Sequence, residues 1–496
     1  MTKKIIYSLS LVATMLFVGC SDDFLDVKPT QLLSDDQLGE AAQFNPAIVN
    51  GSVQGLYTLL FQTGTGNLPG ARLRHYDFGQ KAYDIFTDML TGDMALSVNT
   101  YGWYRRFTEL QSTVDFTQEE NVLAWRYYYR LIRAANKAIA QSGGNDFTPT
   151  SQTTRHLMGQ AKAVRAWLYF NLLQSYTSSY VPADPALPLH TDPAQGSQPK
   201  STQAEVYAQV VKDLTEAIDL LQGFNRSGKN QVNQWVAKGI LAYTYAAMGD
   251  NQKVKDLTSD IINNGGFTLV NRTEALGGFN DVNTAGWMWG QDITADLGLD
   301  LVSWWGQMDL FTYSYAWAGD RKAIDQTLYN AIPNDDVRKG QFFNNPGHTY
   351  HLMPFRKFYA PARTIGGQRN VTTDYIYMRV AEMYLLNAEA NAKLGMDGDA
   401  RTSLKALLGE RLPNTNYIDA LSGQALQDEI YLQTRIELWG EGKVYFSFKR
   451  NMKSSVRGSN HLSLVGEVIP STDNRLSFEI PQGEIQNNPF ISDQNK

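Results

Sequence analysis

A single cysteine, Cys20, serves the whole chain of 496 residues. That excludes an internal disulfide framework and any cysteine-built metal site within the chain. Histidine is sparse too. The six are scattered, and the one close pair, His348 and His351, lacks an H-E-x-x-H pattern and reads as loop. Positive charge is in deficit, with 44 Lys and Arg against 50 Asp and Glu and a formal net charge of −6. A phosphate-binding surface needs the opposite balance, so nucleic acid is not expected as a partner. The apolar run Ile5 to Val18 is too short to span a bilayer comfortably. No G-x-S-x-G, phosphate loop or Rossmann fingerprint occurs. The expectation is a protein without catalytic activity, cofactor or metal.

Aromatic residues are plentiful, at 12% of the chain. Five of the ten tryptophans crowd into one stretch as Trp287, Trp289, Trp304, Trp305 and Trp317, with Phe311, Tyr313 and Tyr315 among them. The stretch is rich in Gly and Asp and lacks a sustained helical period. Rings on such a segment can be presented to a ligand, and a flat ring beside hydrogen-bonding side chains suits the C–H face and hydroxyl rim of a sugar. The competing reading is a satellite core beneath a long loop. If Trp287 to Trp289 is a strand, its two indoles share one face and Met288 takes the other. Trp304 and Trp305 would then split, one inward and one outward. Met94 to Phe107 is a second irregular aromatic stretch, carrying Tyr101, Trp103 and Tyr104. Trp125, Trp167, Trp235 and Trp439 sit on helical patterns and are assigned to the core.

The N-terminus has the parts of a secretory signal: Lys3 and Lys4, the apolar run, and Gly19 before Cys20. Leu16 to Cys20 resembles a bacterial lipobox, with Phe17 where Leu is usual. The expected mature protein starts at lipidated Cys20, and each buried CH₂ of its acyl chains adds about 0.8 kcal/mol of membrane affinity. Ser21, Asp22 and Asp23 resemble an acidic export signal for the cell surface. Expected boundaries are a signal peptide at 1–19, a polar tether at 20–43 and one domain at 44–496, with loop insertions near 63–119 and 265–374.

Helical blocks are expected at Ala47–Phe61, Tyr76–Leu90, Asn121–Ala140 and Arg155–Gln174. In the last of these, Leu157, Ala161, Val164, Leu168 and Leu172 share a face. Thr202 and Glu205 form a capping box for the next helix. Two helical hairpins follow, Gln231–Met248 with Asn251–Ile262 and Tyr375–Leu394 with Asp399–Leu408. Tyr384, Ala388, Ala400, Leu404 and Leu407 fit tetratricopeptide spacing, and Ala242, Val254 and Ile261 fit it less well. Glu382 and Glu389 lie about 10 Å apart along one helix. Paired carboxylates invite a glycosidase reading. Internal ion pairs with Arg379, Arg435, Glu437, Glu441, Lys449 and Arg450 are the stronger alternative. Asp292, Asp296 and Asp300 are expected to bond hydroxyls or face solvent.

Four stretches, in order, resemble the SusD/RagB family of outer-membrane nutrient-binding lipoproteins. They are Cys20 to Asp26; Arg165, Ala166, Tyr169 and Phe170; Arg379 to Ala390, close to R-x-A-E-x-Y-L-x-x-A-E-A; and Arg435 to Gly442 with Ile480 to Ile485. The turn after Tyr176 departs from the family's pattern. The resemblance implies an all-α, tetratricopeptide-like scaffold whose long irregular loops carry the ligand. It also implies a lid on a SusC-like TonB-dependent β-barrel transporter in the outer membrane. By analogy with the family's loop placement, Tyr101, Trp103 and Tyr104 are partners for the tryptophan-rich stretch. The expected ligand-binding set is Tyr101, Trp103, Trp287, Trp289, Trp304, Trp305, Tyr313 and Trp317. The expected ligand is a glycan. The rivals are a peptide or glycoprotein-fragment receptor of the same family, a surface glycoside hydrolase, and a structural lid whose rings pack on the barrel.

Overall fold

The computed structural model describes residues 35–66 and 73–495. The expected signal peptide, Cys20 and most of the tether lie outside them. The end of the expected tether forms a helix, Asp35–Phe44.

The body is a stack of helices, numbered here along the chain. They are α1 (Pro46–Leu59), α2 (Gln80–Leu90), α3 (Glu119–Gln141), α4 (Gln152–Tyr176), α5 (Gln203–Leu220), α6 (Gln234–Met248), α7 (Asn251–Asn264), α8 (Val380–Lys393), α9 (Asp397–Gly409), α10 (Gly423–Glu437) and α11 (Val444–Arg450). From α3 to α10 each helix packs on the next, the arrangement by which helix pairs bury apolar faces that none could bury alone. The architecture is all-α with short strand pairs, as the sequence predicts.

Local chemistry fixes several of these helices. Thr202 and Glu205 form the expected capping box at the start of α5. Gly249 takes a left-handed backbone at the end of α6, and Asp250 caps α7 by accepting from Lys253 N. Gly159 lets α4 and α5 approach, because a Cβ there would stand 2.8 Å from Leu221. The expected start of α2 at Tyr76 is four residues early. Gly79 has φ +82° and lies so close to the Leu60 carbonyl that a Cβ would collide with it. The helix therefore opens at Gln80, whose N–H donates to Leu60 O at 2.8 Å.

The larger correction concerns Tyr375–Arg379. It is a strand, β4, and not the first turns of a helix. It pairs antiparallel with β2 (Trp287–Gln291). A second pair joins β1 (Met94–Asn99) to β3 (Asp320–Ile324). The long insertion thus leaves the stack after α7 and returns through β4 into α8, while α7 and α8 pack directly together. α8 is buried on two sides. Met383, Leu386 and Ala390 join the main core, and Ala381, Leu385, Ala388 and Ala392 join a second core with Ala400, Leu404 and Leu407 of α9. The small residues that fit tetratricopeptide spacing are therefore the ones at the helix contact.

Candidate functional site

Two irregular segments meet at the ends of β1 and β3, and a buried carboxylate holds them in place. Asp320 is inaccessible to solvent. Its Oδ1 accepts from the backbone N–H of Thr100 and of Tyr101, both at 2.7 Å, and its Oδ2 accepts from Trp103 N at 3.2 Å. The turn needs left-handed backbone at Gly102 (φ +90°) and Tyr104 (φ +67°), a strained state for tyrosine that the carboxylate offsets. Beneath it Lys322 is buried, with Nζ 3.0 Å from Gln307 Oε1 and 4.5 Å from the Tyr104 ring centre. Burial pushes that ammonium down to about 7.

Rings cluster on the outer side of this anchor. His75 stacks on Trp103 at 4.9 Å with 14° between the planes, and shares a hydrogen bond with the Tyr315 hydroxyl. Tyr315 meets Tyr101 edge-on at 5.3 Å and Trp103 at 6.1 Å. Tyr313 and Trp317 are 5.7 Å apart on the same short turn, where Ser314 Oγ accepts from Trp317 N. One face of the Trp317 indole is covered at Gly366, where a Cβ would come within 2.6 Å of it. The Arg369 guanidinium lies 4.7 Å over Tyr313 and pairs with Asp300. Tyr101 is 57% exposed, and Trp103, Tyr313 and Trp317 are half-buried. These four expected residues share one surface. Tyr315 and His75 belong to the cluster but were not in the expected set. Tyr315 was visible as one more ring in the tryptophan-rich stretch, and nothing local marked His75.

The other four expected residues are core. Trp287, Trp289 and Trp305 are fully buried and Trp304 is 2% exposed. Trp289 packs edge-on against Trp167 at 4.8 Å and at a tilt against Tyr377 of β4 at 5.0 Å, and its indole N–H donates to Asn230 O at 3.0 Å. A bulge at Trp287–Trp289 breaks the simple two-residue alternation. Trp304 and Trp305 do not split. They pack edge-on at 5.0 Å, and Trp304 also meets Phe358 at 4.6 Å. The satellite-core reading holds for these four. Trp289→Phe is accordingly expected to lower stability by about 1–3 kcal/mol, through lost packing and one lost hydrogen bond. Urea unfolding should show that cost with ligand affinity unchanged.

The carboxylates divide similarly. Glu389 receives Arg450 and Lys393, which hold its carboxyl far below the usual range despite burial. It cannot serve as a general acid near neutral pH. Glu382 accepts from the Tyr243 hydroxyl and from Arg379 N, both at 2.7 Å. Ion pairs also join Arg379 to Glu437 and Glu441. Lys449 departs from the expected pairing. Its ammonium donates to the carbonyls of Gln174 and Thr177 at the end of α4. Asp292 and Asp296 are exposed. Asp292 lines a polar cleft of about 440 Å³ with Lys229, Asn230 and Asn283.

Comparison with known proteins places this arrangement. A SusD-like family model, described as starch-binding and associating with the outer membrane, matches residues 70–246. The SusD family model matches residues 324–496. A SusD-like protein P2 of Formosa agariphila is 24% identical, over 96% of this chain and 96% of its own. A SusD-like carbohydrate-binding protein of Bacteroides vulgatus superposes with a TM-score of 0.74 at 24% identity, over 90% of this chain and 96% of that one. A SusD superfamily protein of Bacteroides thetaiotaomicron gives a TM-score of 0.74 at 25% identity, over 92% and 99%. The matched segments carry both halves of the helical stack, and the shared fold extends through the insertion between them. The chain belongs to the SusD/RagB family.

Proposed function

We propose that the protein is a lipid-anchored, cell-surface receptor of the outer membrane. It captures oligosaccharides and passes them to a SusC-like TonB-dependent β-barrel, and it binds its ligand without cleaving it. The observation that carries this reading is the surface group of Tyr101, Trp103, Tyr313 and Trp317, gathered around the buried Tyr315 and pinned by the buried Asp320. The family descriptions favour a glycan and the outer membrane. Among the described residues no helix is long and apolar enough to cross a membrane. The anchor in this reading is acylated Cys20.

The energetics suit capture and release. Covering about 60 Å² of sugar C–H face contributes roughly 1.5 kcal/mol. Three such contacts give about 4–5 kcal/mol before ordering costs, which corresponds to roughly millimolar affinity. Affinity should therefore rise with chain length, and the transporter beside it would add effective concentration. The test is tryptophan fluorescence of the chain starting after Cys20, titrated with neutral oligosaccharides and peptides of increasing length. Trp103→Ala is expected to weaken saccharide binding about tenfold, with Trp289→Phe binding normally. A response to peptides alone would replace the glycan with a peptide ligand. Fragmentation of a long saccharide on overnight incubation would make the protein a hydrolase. Co-purification of acylated protein with the β-barrel tests the transporter partnership.

A further inference from the structure

A groove runs along the outer face of α3, away from the aromatic cluster. Its larger hollow, of about 330 Å³, lies between α3, the segment Pro188–His190 and the C-terminal helix Gln482–Asn487. It continues into a second hollow of about 170 Å³ that shares Tyr129, Arg133 and His190. Arg126, Arg130 and Arg133 fall at i, i+4 and i+7, so they line one face within about 10 Å of helix.

Arg126 is half-buried and Arg130 and Arg133 are exposed along the groove, and they differ from most arginines that the fold encloses. Arg165, Arg338, Arg379, Arg411, Arg435 and Arg450 each have a carboxylate partner. Among the described residues Arg126 and Arg133 have none. The buried Nε of Arg126 finds no acceptor at all. Arg130 spends one N–H on the Thr65 carbonyl. Glu484 is the one carboxylate lining the larger hollow. Its oxygens are already engaged, Oε2 by the Trp125 indole at 3.3 Å and Oε1 by Asn488 at 2.8 Å. Burial and the neighbouring Arg130 charge push the Arg126 guanidinium below its usual range. Three arginines face one carboxylate in this hollow, with Asp192 in the adjoining one, so positive charge is in excess along the groove and an anion bridging the guanidinium groups relieves their repulsion.

The groove also has a flat floor. Tyr129 is half-buried and fixed, its hydroxyl donating to Pro188 O at 2.9 Å and its ring 4.7 Å from Trp125 and 5.8 Å from His190. A rigid ring bordered by guanidinium groups fits an acidic sugar better than a bare ion, since the ring takes the C–H face and the arginines the anion. The groove is also physically linked to the aromatic cluster. Arg74 pairs with Glu119 in the first turn of α3, while the adjacent His75 stacks on Trp103. Glu119 and Arg126 are seven residues apart on one face, about 10 Å along the axis.

We propose that this groove is a subsite for an anionic sugar residue, a uronate or a sulfate ester, so that the captured glycan is acidic. The inference rests on the glycan-receptor reading and adds the ligand's charge to it. The test uses the full chain after Cys20 in calorimetric titrations with matched oligosaccharides of neutral galactose, sulfated galactose and galacturonate, with an Asp/Glu-rich decapeptide as a fourth ligand. Acidic saccharides are expected to bind about tenfold or more tightly than neutral ones, and less tightly as salt rises. Arg126→Gln with Arg133→Gln should abolish that preference while neutral binding, weakened about tenfold in Trp103→Ala, persists. Whichever acidic series shows the larger arginine-dependent gain identifies carboxylate or sulfate as the anion. Equal affinity for neutral and acidic series, unmoved by the arginine variant, would overturn the subsite and leave the receptor reading intact. No binding of any saccharide would overturn both. Arginine-dependent binding of the decapeptide alone would overturn the sugar subsite in favour of an acidic protein partner.

Discussion

Replacing Glu437 by Gln is expected to destabilise the fold by about 3–5 kcal/mol, a large part of the roughly 5–15 kcal/mol that holds most domains together. Glu437 stands at the end of α10, buried, among three arginines. Its Oε1 accepts from Arg379 at 2.7 Å and Arg411 at 2.8 Å, and its Oε2 accepts from Arg411 at 2.9 Å and Arg338 at 3.1 Å. Glu441 completes the group, receiving Arg379 at 2.7 Å and Lys357 at 2.8 Å. A neutral amide in place of Glu437 leaves buried guanidinium groups short of counter-charge, and that penalty exceeds the net worth of the pairs themselves. The loss should also be local in its form. Arg338 and Lys357 belong to the long insertion, Arg379 joins β4 to α8, and Arg411 follows α9. The carboxylates therefore tie the insertion to the helical stack. Urea unfolding should show the lowered midpoint, and limited proteolysis should cut the variant first within residues 265–374. A cost below about 1 kcal/mol would mean that the network is solvated or easily rearranged.

The second large effect is a stability maximum near pH 5 within the range pH 3 to 6.5, with a steep fall below about pH 4. Two opposing sets of carboxyls produce it. The arginine and lysine charges around Glu389, Glu437 and Glu441 overcome burial and depress all three, Glu441 to about 2. Depressed groups contribute stability that is complete above their unfolded values near 4.5 and is lost as pH falls through the folded ones. For Glu441 alone that is about 3 kcal/mol, shared with its partners. Burial does the reverse to Asp77, Asp309 and Asp374, raising each to about 6. Their contribution is complete below the unfolded value near 3.8 and fades as pH rises to about 6. Asp88 is raised as well, and the unpartnered Asp77 Oδ2 and Asp88 Oδ1 fit protonated carboxyls. Thermal midpoints across pH 3 to 6.5 check this directly. A midpoint that climbs steadily from pH 5 to 6.5 would show that the buried aspartates are ionised in the folded protein.

The sequence by itself determined what depends on near neighbours. Thr202 and Glu205 sit three apart, so their reciprocal cap follows from spacing alone. Gly249 and Asp250 end one helix and start the next because a left-handed glycine and an N-cap carboxylate act within a turn. Ala388 and Ala400 mark a close helix contact because small residues at that spacing have one economical use. The carboxylates near Arg379 were legible as structural because they recur beside arginines.

Only the tertiary structure decided which rings face outward. Gly and Asp around the tryptophans signal irregular backbone, and irregular backbone occurs both at a surface and beneath one. Trp289 is core because β4, more than eighty residues later, pairs with its strand and brings Tyr377 against it, with Trp167 of α4 edge-on. Tyr101 and Trp103 are surface rings because Asp320, over two hundred residues away, collects their backbone N–H groups. His75 joins them by stacking on Trp103 and by its hydrogen bond with the Tyr315 hydroxyl. Hydrophobicity is non-directional, so an indole's composition says that it seeks cover but not where cover is found. What stands opposite each ring is set by strand register and long-range contacts, and these exist only once the chain has closed.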